Sequence, residues 1–218
     1  MSATGRSRSA LAHGMRGSRL AFDYNVLSNG GSGTSSSGEL LFAHLLDATV
    51  LDHAITEFSD RAGVAVFGTT IGDIDGVFAN NTGALSEFTA HFTPMTREDI
   101  PRHDFAVVPL WVPGDPTLRD EVAAWAVELD GVSVARNQDY IDIMAPGRSK
   151  GAGISELLDV LQLPRESIKL YTFGDSWNDL SMHRIADVSH SFAHSPAEVR
   201  ADTDHVISSV EDALSAYL

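Results

Sequence analysis

Two carboxylates and an amide fall within five positions, Asp175, Asn178 and Asp179, in the string GDSWND at residues 174–179. A lone Asp after a strand is ordinarily a solvated turn residue. Here the whole string follows the apolar, β-prone run IKLYTF at 168–173. It precedes apolar residues at Trp177, Leu180, Met182 and Ile185, a spacing that fits a short helix with Ser176 as N-cap. The acids are therefore expected at the C-terminal end of a strand and over the N-terminus of a helix. In an open α/β sheet, ligands bind at that place. Paired carboxylates there are hard oxygen ligands for Mg²⁺, and helix amides can hold an anion beside it.

The elements around this string divide into two patterns. From about Leu46 to Met144 the order is helix, strand, strand, then the same again. Val50, Leu51, Ala54, Ile55 and Phe58 mark an amphipathic helix, followed by strands VAVFGTT and GVFAN. FAVVPLW is a second apolar strand, and Pro116 opens a helix with Val122, Trp125, Ala126 and Leu129 inward. VSVARN and YIDIM close the repeat as strands. This suits a separate α/β lobe inserted into the main domain. After Ala145-Pro146-Gly147 the chain returns to that domain, with Lys150 at the start of a helix reaching Leu161. The tail alternates DVSHSF, SPAEVRA, DHVISS and EDALSAYL as short strands and helices. Near the start, YNVLSN and ELLFAH read as strands, and GGSGTSSSGE between them as a loose hairpin loop of linker composition.

Composition narrows the function classes. The 218 residues carry 15 basic and 30 acidic side chains, a net charge of −15, which disfavours nucleic acid and anionic membrane as partners. No apolar run approaches the ~18 residues of a membrane span. Cysteine is absent, so thiolate metal sites and disulfides are excluded, and a reducing cytoplasmic location is expected.

GDSWND resembles the fourth signature of the haloacid-dehalogenase-like (HAD) phosphatases, and GRSKGAGISELLDVL resembles their third, a lone Lys at a helix start, here Lys150. SNGG at 28–31 and PAEVRADTDHVISSVEDAL near the end resemble the Cof-type branch, which acts on sugar phosphates and similar metabolites. SATGRSRSAL resembles the second signature, Thr-Gly-Arg after a strand. The arginines before Asp23 (Arg6, Arg8, Arg16, Arg19) also satisfy the composition of a transit peptide, but motif order and spacing favour the signature. The resemblance implies an HAD-like Rossmannoid parallel-sheet core at 1–45 and 145–218 and an inserted C2-type α/β cap at 46–144. It implies a small phosphorylated metabolite as partner and Mg²⁺ as cofactor. Asp175 and Asp179 would serve the metal; Thr4, Gly5, Arg6, Asn29, Asn178 and Lys150 would grip the phosphoryl group. Lys150 and Asp179 would be the catalytic residues present.

The family's first signature, Asp-x-Asp-Gly-Thr, ends the central strand and supplies the nucleophile. Ahead of Thr4 there is no room for it, so the expectation is an N-terminally truncated core and a chain inactive as it stands. Three readings follow: an enzyme whose sequence starts late, a phosphometabolite-binding or interaction protein, and a fragment without function. Asp23-Tyr24-Asn25 lacks the second Asp and the Gly. Asp73-Ile74-Asp75-Gly76 matches the string, but it lies where the cap is expected and reads as a turn between two strands. His190 and His194 are four apart, yet they read as packing or surface histidines.

Overall fold

The computed structural model describes residues 1–215 and residue 217. First come β1 (Ser2–Ala3), α1 (Arg8–Gly14) and β2 (Tyr24–Leu27), with β1 and β2 parallel. β3 (Ser32–Ser35) and β4 (Leu40–Ala43) add antiparallel strands, giving the order β1-β2-β3-β4. The expected hairpin loop is thus wrong in part, because four of its ten residues form β3. The reason is local: Ser32 and Thr34 are buried, and Gly33 leaves room for the Phe42 ring, whose Cε1 would lie 2.2 Å from a Cβ at that position. A glycine- and serine-rich run reads as a linker until a ring packs on it.

The middle of the chain forms α2 (Ala48–Phe58), β5 (Ala65–Thr70), β6 (Gly76–Asn80), β7 (Thr93–Pro94), β8 (Phe105–Trp111), α3 (Pro116–Val127), β9 (Ser133–Asn137) and β10 (Tyr140–Met144). Its strands make one mainly antiparallel sheet, ordered β7-β6-β5-β8-β10-β9. Both helices lie on one face of it. Leu51, Ala54, Phe58, Val122 and Ala126 pack on Val66, Val108, Leu110, Ile141 and Ile143, the molecule's largest core. Trp125 meets Phe58 edge-on at 4.8 Å, as a half-buried member of that core.

Strand alternation sends the intervening side chains to the other face. Tyr140 and Asp142, flanking the inward Ile141, therefore look away from the helices. That face borders the site described below.

The last part comprises α4 (Lys150–Val160), β11 (Tyr171–Phe173), α5 (Leu180–His183), β12 (Val188–Phe192), α6 (Ala197–Ala201), β13 (His205–Ile207) and α7 (Val210–Leu214). β11, β12 and β13 are parallel. The expected helix at the end falls partly on Ala216 and Leu218, which lie outside the described residues. A second core joins Val26 of β2, Ile154, Leu157 and Leu158 of α4, Leu170 and Met182. Through it α4 ties the first sheet to the third. Among the described residues, β1 pairs only with β2, and β11 only with β12. None of the described helices is long and apolar enough to cross a membrane.

Candidate functional site

Thr4, Gly5, Arg6, Lys150, Asp175, Asn178 and Asp179 border one cavity of about 260 Å³. They come from three separate stretches of chain. Thr4–Arg6 follows β1, Lys150 opens α4, and Asp175–Asp179 follows β11. Asn29 stands just behind the wall, 1% exposed.

The GDSWND loop is organised by Asp179. Its Oδ2 accepts the N–H groups of Asp175 and Ser176, each at 2.9 Å. Its Oδ1 accepts from Lys150 Nζ at 2.5 Å, and both side chains are buried. Gly174 is required for this curl, since a Cβ there would lie 2.4 Å from Asp179 Cγ. Trp177, Asn178 and Asp179 form a 3₁₀ turn before α5, so the expected apolar stripe is offset. Trp177 is 37% exposed, and its indole N–H donates to Glu198 instead of packing inward.

Lys150 reaches Asp179 because α4 approaches closely on both flanks. Gly151 abuts Ser181 O and Gly153 abuts Gly30 Cα, where a Cβ would come within 2.3 and 2.6 Å respectively. Ser149 caps the helix, its hydroxyl accepting the Ala152 N–H at 3.2 Å.

Thr4 Oγ1 accepts the Arg6 N–H at 3.1 Å, which leaves the hydroxyl proton to donate elsewhere. The Arg6 guanidinium lies over the Phe88 ring, 4.8 Å from its centroid. Asn29 has a left-handed backbone, φ 53°. Its amide links the two lobes, accepting from Asn178 Nδ2 at 3.1 Å and donating to Asp142 Oδ2 at 2.8 Å.

The sequence reading named the core side of this cavity and missed the opposite side. On that side Thr69, Phe88, Asn137, Gln138, Tyr140 and Asp142 are among the lining residues. Asp142 carried a readable signal: a carboxylate centred in the apolar strand YIDIM must face something polar. Of the two histidines discussed, His190 is a packing residue, buried and stacked on Phe173 at 4.5 Å. His194 is exposed and lies 3.7 Å from Asp175 Oδ2.

A profile of the haloacid dehalogenase-like hydrolases matches residues 1–217. The chain belongs to this family. Solved HAD structures agree in fold. A HAD subclass IIB sugar phosphatase superposes with a TM-score of 0.79 at 18% identity, covering 99% of this chain and 84% of that one. A haloacid dehalogenase-like hydrolase from B. subtilis gives 0.79 at 14%, with 99% and 84% covered. Another from Bacteroides thetaiotaomicron gives 0.73 at 18%, with 99% and 85% covered. No curated protein matches the chain in sequence. The fold is thus that of an HAD-like core with a cap domain.

HAD chemistry raises the question of Mg²⁺. Among the described residues no three acidic or histidine side chains converge as a metal site. Asp175 offers a carboxylate 41% exposed whose one ionic neighbour is His194 at 3.7 Å, whereas both Asp179 oxygens are already engaged. Mg²⁺ commonly takes one or two carboxylates, several waters and a substrate phosphate. The donor set fits an ion shared with a bound phosphoryl group.

Asp142 is the second carboxylate on this HAD cavity with a distinct environment. Burial pushes its carboxyl from 3.8 up to about 6, against the pull of the Asn29 hydrogen bond and the Lys150 charge. The folded protein therefore holds this proton more tightly than the unfolded chain does. Stability is lost as pH rises from about 4 to about 6 and the loss stays constant above. Asp142→Asn keeps an acceptor for Asn29 and removes the buried charge. It is expected to raise the unfolding free energy near neutral pH by up to about 3 kcal/mol and to change little near pH 4. Urea unfolding at both pH values checks this; equal effects at the two would contradict it.

Proposed function

We propose that this HAD-family chain binds small phosphate monoesters such as sugar phosphates, and that the family reaction at this site is their Mg²⁺-dependent hydrolysis. The supporting observation is the convergence of Thr4, Lys150 and Asp175 in one cavity from three distant stretches. In this reading residues 1–45 and 145–218 are the core and 46–144 the cap, and the sugar lies against the cap's Asn137, Gln138 and Tyr140.

Each residue has a chemical task. The Thr4 hydroxyl donates to a phosphoryl oxygen, and Gly5 lets the backbone come close. Lys150, held by Asp179, sets a positive charge beside the anion, and Arg6 adds a second one at the rim. Asn178 and Asn29 fix the shared wall. Asp175 would hold the metal, which when bound supplies Lewis-acid neutralisation of a phosphoryl oxygen.

The carboxylates on the cavity leave the attacking role unfilled. Asp179 is tied to Lys150, Asp142 is buried against Asn29, and Asp175 is the metal-side acid. We therefore expect the 218-residue polypeptide to bind phosphate esters and to hydrolyse p-nitrophenyl phosphate negligibly. The reading as a phosphometabolite-binding protein rests on the same observation.

Isothermal titration with inorganic phosphate, with and without Mg²⁺, is the test. Mg²⁺ should tighten binding about tenfold, a gain of about 1.4 kcal/mol for one shared carboxylate contact. Asp175→Asn should abolish that gain while leaving Mg²⁺-free binding in place. Binding indifferent to both would sink the assignment. Strong turnover removed by Asp73→Asn would instead make the Asp73-x-Asp75 string catalytic.

A further inference from the structure

Asp73 and Asp75 both read as turn residues, and the fold separates them. Asp73 is exposed and pairs with Arg8 at 3.1 Å. Asp75 is 2% exposed in the turn between β5 and β6. Its Oδ1 accepts the Thr70 N–H at 2.9 Å. Its Oδ2 accepts hydroxyl protons from Ser7 and Ser9, at the start of α1 on the core side. A buried carboxylate is costly unless hydrogen bonds replace its water, and here two of the three come from the other lobe. Burial raises this carboxyl above the usual range, with the serine and Thr70 bonds and the His91 ring pulling back. His91 Nε2 lies 3.5 Å from Ser9 Oγ, and its ring stacks on His13 at 4.3 Å.

Ser7 directly follows the Thr4–Gly5–Arg6 turn. While donating to Asp75, its hydroxyl accepts the Ala10 N–H at 3.1 Å and so caps α1. On its other side the turn is fixed by backbone bonds. Ser28 N–H donates to Arg6 O at 2.9 Å, and Asn29 N–H donates to Thr4 O at 3.0 Å. Asp75 is the anchor opposite those two.

We propose that Asp75 is a positioning residue, holding the Thr4–Gly5–Arg6 turn in register with Lys150 through Ser7 and Ser9. The inference rests on reading that turn as an anion cradle. It gives the cap's turn a part in phosphate affinity without any contact to phosphate. A displacement of about 1 Å in such a cradle can weaken its interactions severely.

Asp75→Asn is the decisive variant. An amide has one oxygen, so it cannot accept from both Thr70 N–H and the two hydroxyls. Inorganic phosphate should bind about tenfold more weakly, the size of one lost charge-assisted hydrogen bond. In phosphate-free protein the amide resonances of Gly5 and Arg6 should shift, while those of Gly151 and Asp175 stay. Ser9→Ala should move the same resonances less, and serves if Asp75→Asn fails to fold. Asp73→Asn should leave affinity unchanged. Ile55→Val, in the core on the other face of the cap sheet, should lower the thermal midpoint without weakening phosphate binding.

Unmoved Gly5 and Arg6 resonances would overturn the proposal. So would an affinity loss matched by Ile55→Val at equal loss of thermal midpoint. If the unaltered protein binds no phosphate, the cradle reading fails, and the resonances alone decide whether Asp75 positions the turn.

Discussion

Lys150→Ala is expected to abolish measurable phosphate binding and to destabilise the fold by about 3–5 kcal/mol, the cost of leaving one charge of a buried pair alone. The stranded group is Asp179, 3% exposed, whose Oδ1 loses its partner at 2.5 Å. Asp179 would still accept the Asp175 and Ser176 N–H bonds at 2.9 Å, so the loop is strained electrostatically and not unhooked. The loss of affinity has a separate cause. An ammonium held at a fixed point beside the cavity contributes about 2–3 kcal/mol to a bound anion, a factor of tens to a hundred or more. Pairing the change with Asp179→Asn separates the two effects. Lys150→Met with Asp179→Asn should regain most of the stability, because a well-packed apolar replacement for a buried pair is often neutral. It should regain none of the affinity. Urea unfolding and calorimetry on the same samples read both quantities. Affinity restored together with stability would mean that Lys150 only braces the loop.

Gly30→Ala is expected to cost about 3 kcal/mol, from backbone strain and overpacking together. Gly30 has φ +89°, and a Cβ there would lie 2.1 Å from Ser149 O and 3.1 Å from Gly153 N. The neighbour is backbone at the N-terminus of α4, so no side chain can swing aside. Relief requires α4 to back away from the Asn29 loop, which carries Lys150 away from Thr4. Phosphate affinity should fall along with stability. Gly17→Ala is the matched control, with φ +78° and nothing within 4 Å of the added Cβ. It should cost only the conformational strain, about 1 kcal/mol, and leave affinity alone. Thermal unfolding and titration of both variants decide; equal losses would show that the close approach at Ser149 is unimportant.

What was readable from sequence follows the local chemistry of each stretch. GDSWND announced a loop after a strand because a glycine, two acids and an amide follow an apolar run, and Asp179 does curl that loop. Lys150 was legible as a helix-start lysine, and the family resemblance already set Asp179, 29 residues on, to orient it or the metal's waters. The helix–strand–strand repeat revealed the six-stranded sheet and its two helices, because alternation and helical spacing persist in the packed fold. β3 was hidden because serine and glycine carry no apolar signal, and the Phe42 ring that packs on Gly33 is not foreshadowed by that run. Asp75 was hidden for the opposite reason. Its sequence setting is that of a solvated turn, and the groups that bury it, Ser7 and Ser9, lie 68 and 66 residues earlier. Trp177 went wrong because a 3₁₀ turn, with its tighter winding, rotates the face that 3.6-residue spacing predicts. Long-range polar pairing, such as Asp142 with Asn29 and Tyr140 with Ser86, leaves little trace in a single sequence.

A bound phosphoryl group is expected among Thr4, Lys150 and Asp175. Tungstate, a heavy tetrahedral mimic of phosphate, soaked into crystals of the protein locates that position by its anomalous signal. The peak is expected within hydrogen-bond reach of Thr4 Oγ1 and Lys150 Nζ, on the side of the cavity that Asp175 borders. A peak confined to the cap face near Asn137 and Tyr140, or no peak in the cavity at concentrations that saturate binding in solution, would contradict that placement.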